Sequence, residues 1–437
     1  MKSIVSTCLT LTLSFASFAT AQTTPAAVNP QAQALTLSQA EQIALRNNPR
    51  IVESRLLALA QGQVTREARS AELPTLTGNL TAVEPHDGSR ITAGALNNPI
   101  VYERAAGGVT VSQLITDFGR TRNLVSSADL RARAEQSAQA ATTADVIVAV
   151  DEAFYRALSS QAVLNVASGT VTARQTTSDQ VSALTGSKLK STLDLSFANV
   201  NLAQAKLMLL DAQNANQDAI NVLNALLGEE RPIVYKLVDE TPAAPAPPPD
   251  DPEPLVVQAF QSRPDLIELN QDFAAAKKFS SAEHDLWKPT VSALGAAGGA
   301  PVRSEQITSS WYGAVGANVE IPLFNGFLYS ARASEADYRA KAANQQVAEL
   351  RQTIARDVRT TVLQAQSNFQ RIAVTQQLLD QANSAFDLAQ TRYKFGLSSI
   401  VELSQAQLAQ TEAQIDYATA RYAYQGSIAL LRFQTGR

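Results

Sequence analysis

The chain repeats itself once, at the scale of a domain. Pro49 and Pro264 stand 215 positions apart, as do Pro74 and Pro289. Further on the interval is 208, and it holds for Asp117 and Asn325, Asp194 and Glu402, and Gly228 and Gly436. Flanking residues keep the same intervals: Ala44-Leu45 with Ala259-Phe260, Leu195-Ser196 with Leu403-Ser404, Ala198 with Ala406. Solenoid units run about 20–50 residues, so this is one domain-sized unit written twice. The change of interval places extra chain between Pro74 and Asp117. Whatever the fold, it has two pseudo-equivalent halves.

Residues 1–21 stand outside the duplication and read as a secretion leader. Lys2 supplies the positive start, Ile4 to Phe18 the apolar stretch, and Ala19-Thr20-Ala21 a cleavage site before Gln22. The stretch is shorter than the roughly 20 apolar residues a membrane helix needs. Cys8, the sole cysteine, leaves with it, so disulfides and Cys-ligated metals are excluded from the mature chain. A net charge of −4 lacks the basic footprint of a nucleic-acid partner. No later segment is apolar enough for a transmembrane helix, so a membrane crossing would have to use strands.

Proline placement divides the rest. No proline lies between Pro99 and Pro232, and none follows Pro322. A helix-interior proline costs about 3 kcal/mol, so these tracts predict long helices over about 118–227 and 325–435. Heptad spacing agrees: Val358, Ala365, Ile372, Leu379, Phe386 and Tyr393 recur every seventh residue, as do Ala198, Ala205, Ala212 and Ala219. Strict sevens imply a left-handed supercoiled seam, and alanine lets the backbones approach.

Each half also carries two short segments of period two. From Trp311 to Ile321 one face reads Trp, Gly, Val, Ala, Val, Ile and the other Tyr, Ala, Gly, Asn, Glu, as a strand with one apolar face requires. Strands are expected at about 74–85, 107–116, 289–299 and 310–321. The first repeat spans 22–240, the second 255–437, and the proline- and acid-rich 241–254 links them. Four strands cannot close a barrel, and open sheet edges are not tolerated in lipid. Either the strands form a small soluble sheet or several chains pool them, and three chains give twelve.

The chain resembles the TolC-like outer membrane efflux and secretion channel family over essentially its whole mature length. The carriers are Leu35-Thr36-Leu37-Ser38-Gln39-Ala40 with Asn48-Pro49, Ser112 to Arg120, Ile321-Pro322-Leu323-Phe324-Asn325-Gly326, and Phe395-Gly396 followed by Ile400-Val401-Glu402-Leu403. The resemblance implies a mainly α fold with a small β part: a homotrimer with a twelve-stranded outer membrane barrel continued by a twelve-helix coiled-coil tunnel across the periplasm. It also implies a periplasmic adaptor and an inner-membrane ABC or RND transporter as partners, with outer membrane lipids around the barrel and no cofactor.

By the same resemblance the periplasmic entrance maps to Glu402 and Gln405, with Tyr393 tied to Asp194, the counterpart of Glu402. The turns at the adaptor-docking end map near Gly186 and Gly396. Ser398 stands where a family member has an arginine, and Gln405 where it has a second acid, so the entrance is expected to be less tightly latched. A plainer reading competes: Ser399-Ile400-Val401-Glu402 is a capping box, and Ser191-Thr192-Leu193-Asp194 resembles one. At the strand-to-helix junctions Asp117 and Asn325 are expected to cap the helices, with Gly119 and Gly326 allowing the bends. His86 and His284 have no second histidine or cysteine nearby, which speaks against a metal site. Carboxylates are plentiful but form no recognisable catalytic pair. A periplasmic coiled-coil adaptor or structural protein with a soluble sheet is the rival from another class.

Overall fold

The computed structural model describes residues 33–86, 88, 102–229, 233–240, 245–303 and 309–436. The leader, with Cys8, and most of the longer first loop lie outside them. In chain order the elements are β1 (Gln33–Leu35), α1 (Leu37–Asn47), α2 (Pro49–Ser70), β2 (Thr75–Val83), β3 (Arg104–Thr116), α3 (Arg120–Gly186), α4 (Thr192–Leu226) and β4 (Tyr235–Leu237). The second repeat supplies α5 (Glu253–Ser262), α6 (Pro264–His284), β5 (Thr290–Arg303), β6 (Trp311–Glu320), α7 (Leu328–Lys394) and α8 (Ile400–Gln434).

The two long helical tracts each divide into a helix of 67 residues and one of 35. At 1.5 Å per residue these are about 100 Å and 50 Å long. The alanine seam is buried: Ala198, Ala205, Ala212 and Ala219 of α4 are at most 5 % exposed. In α8 their counterparts Ala413, Ala420 and Ser427 are buried as well. No helix among the described residues is long and apolar enough to cross a membrane.

Each 35-residue helix ends against the start of a shorter one, and this joint explains the duplicated glycines. Gly228 follows α4 with φ 76°, a left-handed conformation that glycine adopts without a Cβ penalty. A Cβ there would lie 2.6 Å from the Asn47 carbonyl oxygen. Asn48 completes the joint: its Nδ2 donates to the Leu226 carbonyl at 2.8 Å, and its Oδ1 caps α2 through Arg50 N at 2.9 Å. In the second repeat Gly436, with φ 70°, packs on Ser262, whose Oγ donates to the Thr435 carbonyl at 2.7 Å. A parallel pair of strands, β1 with β4, braces the first joint, and the core of Leu35, Val146, Val150, Phe154, Leu223 and Leu227 fills it. The pairing of β1 with β4 had no sequence signal.

Lateral order follows from packing. On the strand side of these joints the helices run α2, α3, α6, α7; on the far side they run α4, α3, α8, α7. So α2 and α4 form one flank and α7 the other. The remaining strands form an antiparallel sheet in the order β2, β3, β5, β6. Strand β3 begins at Arg104, three residues earlier than the periodicity indicates, and β5 extends to Arg303.

Register gives that sheet two chemically different faces. One carries the rows Leu80–Gly107–Gly299–Trp311 and Leu76–Val111–Gly295–Val315. The other carries Asn79–Gly108–Gly298–Tyr312 and Thr77–Thr110–Ala296–Ala314. On that second face the Tyr312 ring lies across two glycines. A Cβ on Gly108 or Gly298 would meet its hydroxyl closer than any real contact, and would also meet a strand carbonyl at 2.8 or 2.5 Å respectively.

Candidate functional site

The helix hairpins α3–α4 and α7–α8 turn at the end of the molecule far from the sheet. Both turns are Schellman motifs. After α7, Leu397 N donates to the Arg392 carbonyl at 2.8 Å and Gly396 N to Tyr393 at 3.0 Å, with Gly396 at φ 73°. After α3, Leu189 N donates to Leu184 and Lys188 N to Thr185, both at 2.9 Å. The left-handed residue here is Lys188, φ 61°. Gly186, expected at this break, is instead the last residue of α3. The turn falls two residues later, on a side chain that tolerates it poorly.

The two acidic positions that the repeat pairs have diverged, in the reverse of the sequence expectation. Ser191 and Asp194 form the complete capping box: Ser191 Oγ accepts from Asp194 N at 3.1 Å, and the Asp194 carboxylate accepts from Ser191 N at 3.2 Å. In the second repeat only half the box forms. Ser399 Oγ accepts from Glu402 N at 3.2 Å, but the Glu402 carboxylate turns to Arg392, 3.5 Å away. Arg392 also donates to the Leu397 carbonyl at 3.4 Å. Both members of the pair are about half exposed, so the ion pair contributes little by itself. Arg392 lies four residues before Gly396, whereas the position two residues after that glycine is Ser398. Gln405 is exposed beside them.

Tyr393 is held by apolar contact, and the expected tie to Asp194 is not a hydrogen bond. It packs on the cluster of Val181, Ala198, Ile400 and Leu403, and its hydroxyl is buried without a partner. Burial, and then the Asp194 charge, push its pKa up. Asp194 is thus an electrostatic neighbour and not a bonded one. The Lys190 ammonium sits over the ring, 4.4 Å from its centre, a cation–π contact. Across the hairpins Asn201 Nδ2 donates to Ser404 Oγ at 2.7 Å and ties α4 to α8. Sequence reasoning missed Arg392, Lys190 and Asn201; only the last-turn position of Arg392, favoured by the helix dipole, offered a signal.

At the opposite end of the long helices, Asp117 serves the start of α3 from two residues before its N-cap position, Gly119. The Asp117 carboxylate accepts from Gly119 N at 3.2 Å and from Thr121 N at 2.6 Å. Asn325 is a weaker version, 3.5 Å from Tyr329 N, with its Nδ2 buried and unpartnered. Each junction uses two successive left-handed residues, Phe118-Gly119 and Gly326-Phe327. The glycine has changed places with a phenylalanine between the repeats. Lys288 locks the first junction by donating to the Phe118 carbonyl at 3.1 Å while pairing with Asp285 at 2.7 Å. His284 Nε2 meets Asp337 at 3.1 Å, and among the described residues no three His, Cys, Asp or Glu cluster as a metal site.

A titratable feature that sequence reasoning did not single out lies near the first joint. Asp151 of α3 is 7 % exposed, with one carboxylate oxygen lacking a partner. Burial, and then the neighbouring Glu41 carboxylate, push its pKa up to about 7. The Arg432 charge acts in the opposite direction.

Comparison with known proteins matches this arrangement to a family. The model for the outer membrane efflux protein family covers residues 40–229 and 255–437. The solvent efflux pump outer membrane protein SrpC and the toluene efflux pump outer membrane protein TtgI, both of Pseudomonas putida, are each 25 % identical over 356 residues, 78 % of this chain and 72 % of theirs. Among solved structures, the outer-membrane channel OprN superposes with a TM-score of 0.80 at 19 % identity, covering 92 % of this chain and 89 % of that one. The outer membrane protein VceC of Vibrio cholerae gives 0.75 at 18 % identity, covering 92 % and 96 %. The chain belongs to the outer membrane efflux protein family.

Proposed function

We infer that three copies of this chain close a twelve-stranded barrel in the outer membrane, continued through the periplasm by twelve helices. This duct is the passive exit of a pump driven from the inner membrane. The observation that carries the reading is the two-faced sheet with open edges. Strands β2 and β6 each have one neighbour, and unpaired edges are not tolerated in lipid. Pairing β6 of one protomer with β2 of the next removes both edges and seats α7 against α2 and α4. Exposed apolar side chains on those flanks, Leu56 and Leu59 on α2 and Tyr338 and Leu363 on α7, support that contact. A periplasmic adaptor with a soluble sheet would leave Val315, 94 % exposed, in water with no compensation.

The relatives' names, components of solvent and toluene efflux pumps, favour small-molecule export over protein secretion. The hairpin tips, with Leu189, Phe395 and Leu397 exposed, are the surface for a periplasmic adaptor, which links the duct to an inner-membrane transporter of the RND or ABC class. Glu402 and Gln405 from three chains line the entrance, with Asp194 and Tyr393 behind them. Mass measurement after membrane extraction tests the reading: a trimer released only by detergent is expected, and a water-soluble monomer would overturn it.

A further inference from the structure

Between these joints and the hairpin tips, α3 and α8, with Phe386 of α7, line a half-open cavity of about 490 Å³ in which Asn, Thr, Gln and Arg side chains mix with apolar surface. Arg174 of α3 lines it and is only 7 % exposed. A guanidinium is always charged, and a buried charge requires a partner of opposite sign. Among the described residues Arg174 has none. Its hydrogen-bond acceptor is Gln407 Oε1 on α8, a neutral amide that offsets no charge. Gln407 is itself held by Thr177, and Thr411 Oγ1 donates to the Gln407 carbonyl at 3.0 Å and stands 3.4 Å from Thr170 Oγ1. None of the residues lining the cavity is acidic. Burial alone pushes the Arg174 pKa down, with no carboxylate acting against it.

Packing does not explain the arginine either. The position 208 residues later in the second repeat is Ala382, which is also buried. A large cation has been placed where the duplicated seam is satisfied by a methyl group. Of the five N–H donors of the fork, one hydrogen bond is accounted for, and the cavity lies open to others.

We propose that the α3–α8 cavity binds one small monovalent anion, of the chloride class, held by Arg174 with neutral polar groups around it. A single charge suffices to neutralise one guanidinium, whereas a divalent anion would leave an excess negative charge in a cavity with no second cation. The bound ion adds a bridge between α3 and α8 near the hairpin tips, so the cohesion of that end depends on anion concentration.

Bromide soaked into crystals of the full-length protein tests this directly. An anomalous peak within hydrogen-bonding distance of Arg174 in the cavity is expected. A cavity holding only water, or a carboxylate of a neighbouring protomer against Arg174, would overturn the proposal. In solution, replacing gluconate by chloride at constant ionic strength should raise the Tm of the detergent-solubilised protein in a saturable way, as a ligand of the native state does. The increase should vanish in Arg174→Gln; an equal increase in both proteins would count against the site. If that variant fails to fold, the diffraction result decides alone.

Discussion

Adjacent residues of β6 separate the two faces of the sheet, and a single charge placed on each should give opposite outcomes. Val315 lies in the row with Leu76, Val111 and Gly295, and Ala314 in the row with Thr77, Thr110 and Ala296. Val315 is five residues from Glu320, the end of the strand nearest the helices. At about 3.3 Å per residue this is roughly 17 Å along the strand. With a strand tilt near 40° it is about 13 Å along the barrel axis, the middle of an apolar band about 25 Å tall. An arginine on the lipid face at that depth costs about 2–4 kcal/mol, so Val315→Arg costs a trimer about 6–12 kcal/mol. Ala314→Arg places the same side chain in the polar interior, where the penalty is near zero. Seminative gels of heated membrane extracts read the difference: Val315→Arg should lower the trimer dissociation temperature sharply or abolish assembly, and Ala314→Arg should migrate as the native trimer. Equal losses, or a larger loss for Ala314→Arg, would refute the assignment of faces.

Other perturbations address the hairpins and the buried acid. Lys188→Gly removes a left-handed lysine and should stabilise by about 1 kcal/mol, measured by denaturant unfolding, while Gly396→Ala should cost a similar amount; no gain from the first would mean that the turn is not strained. Glu402→Ala should weaken divalent-cation block in planar-bilayer conductance, and unchanged block would remove Glu402 from the conducting path. Asp151 holds its proton to about pH 7 in the folded chain, whereas an unfolded aspartate releases it near pH 4. Between those values the native state binds more protons than the unfolded state, so this group's stabilising contribution is fully present below about pH 4 and is lost as pH rises to 7. Glu41 and Glu152 add to the repulsion and Arg432 opposes it. Asp151→Asn should therefore flatten the fall in Tm over that window, and an unaltered pH profile would show that the carboxyl is not titrating there.

Backbone requirements were legible in the sequence where duplication exposed them. Gly228 and Gly436 recur because each must adopt a positive φ while a second helix closes over it, and no other residue type meets both demands. The alanine seam of α4 was legible for the same reason, since burial at every seventh residue leaves a periodic mark. The residues proposed for the entrance were less legible because their chemistry depends on which of two local partners a carboxylate takes. Asp194 and Glu402 occupy equivalent first-turn positions with a serine three residues before each, and the shorter side chain returns to its own helix start while the longer one reaches Arg392. A motif that fits both residues equally well could not tell them apart. Arg174 makes the same point from the other side. The matching position of the second repeat holds a small buried residue, Ala382, and the arginine departs from it at a buried position whose cavity lining, among the described residues, has no acidic side chain. Shared positions between the repeats thus report what the scaffold needs. Positions where the repeats differ in charge or reach report what this chain does with it.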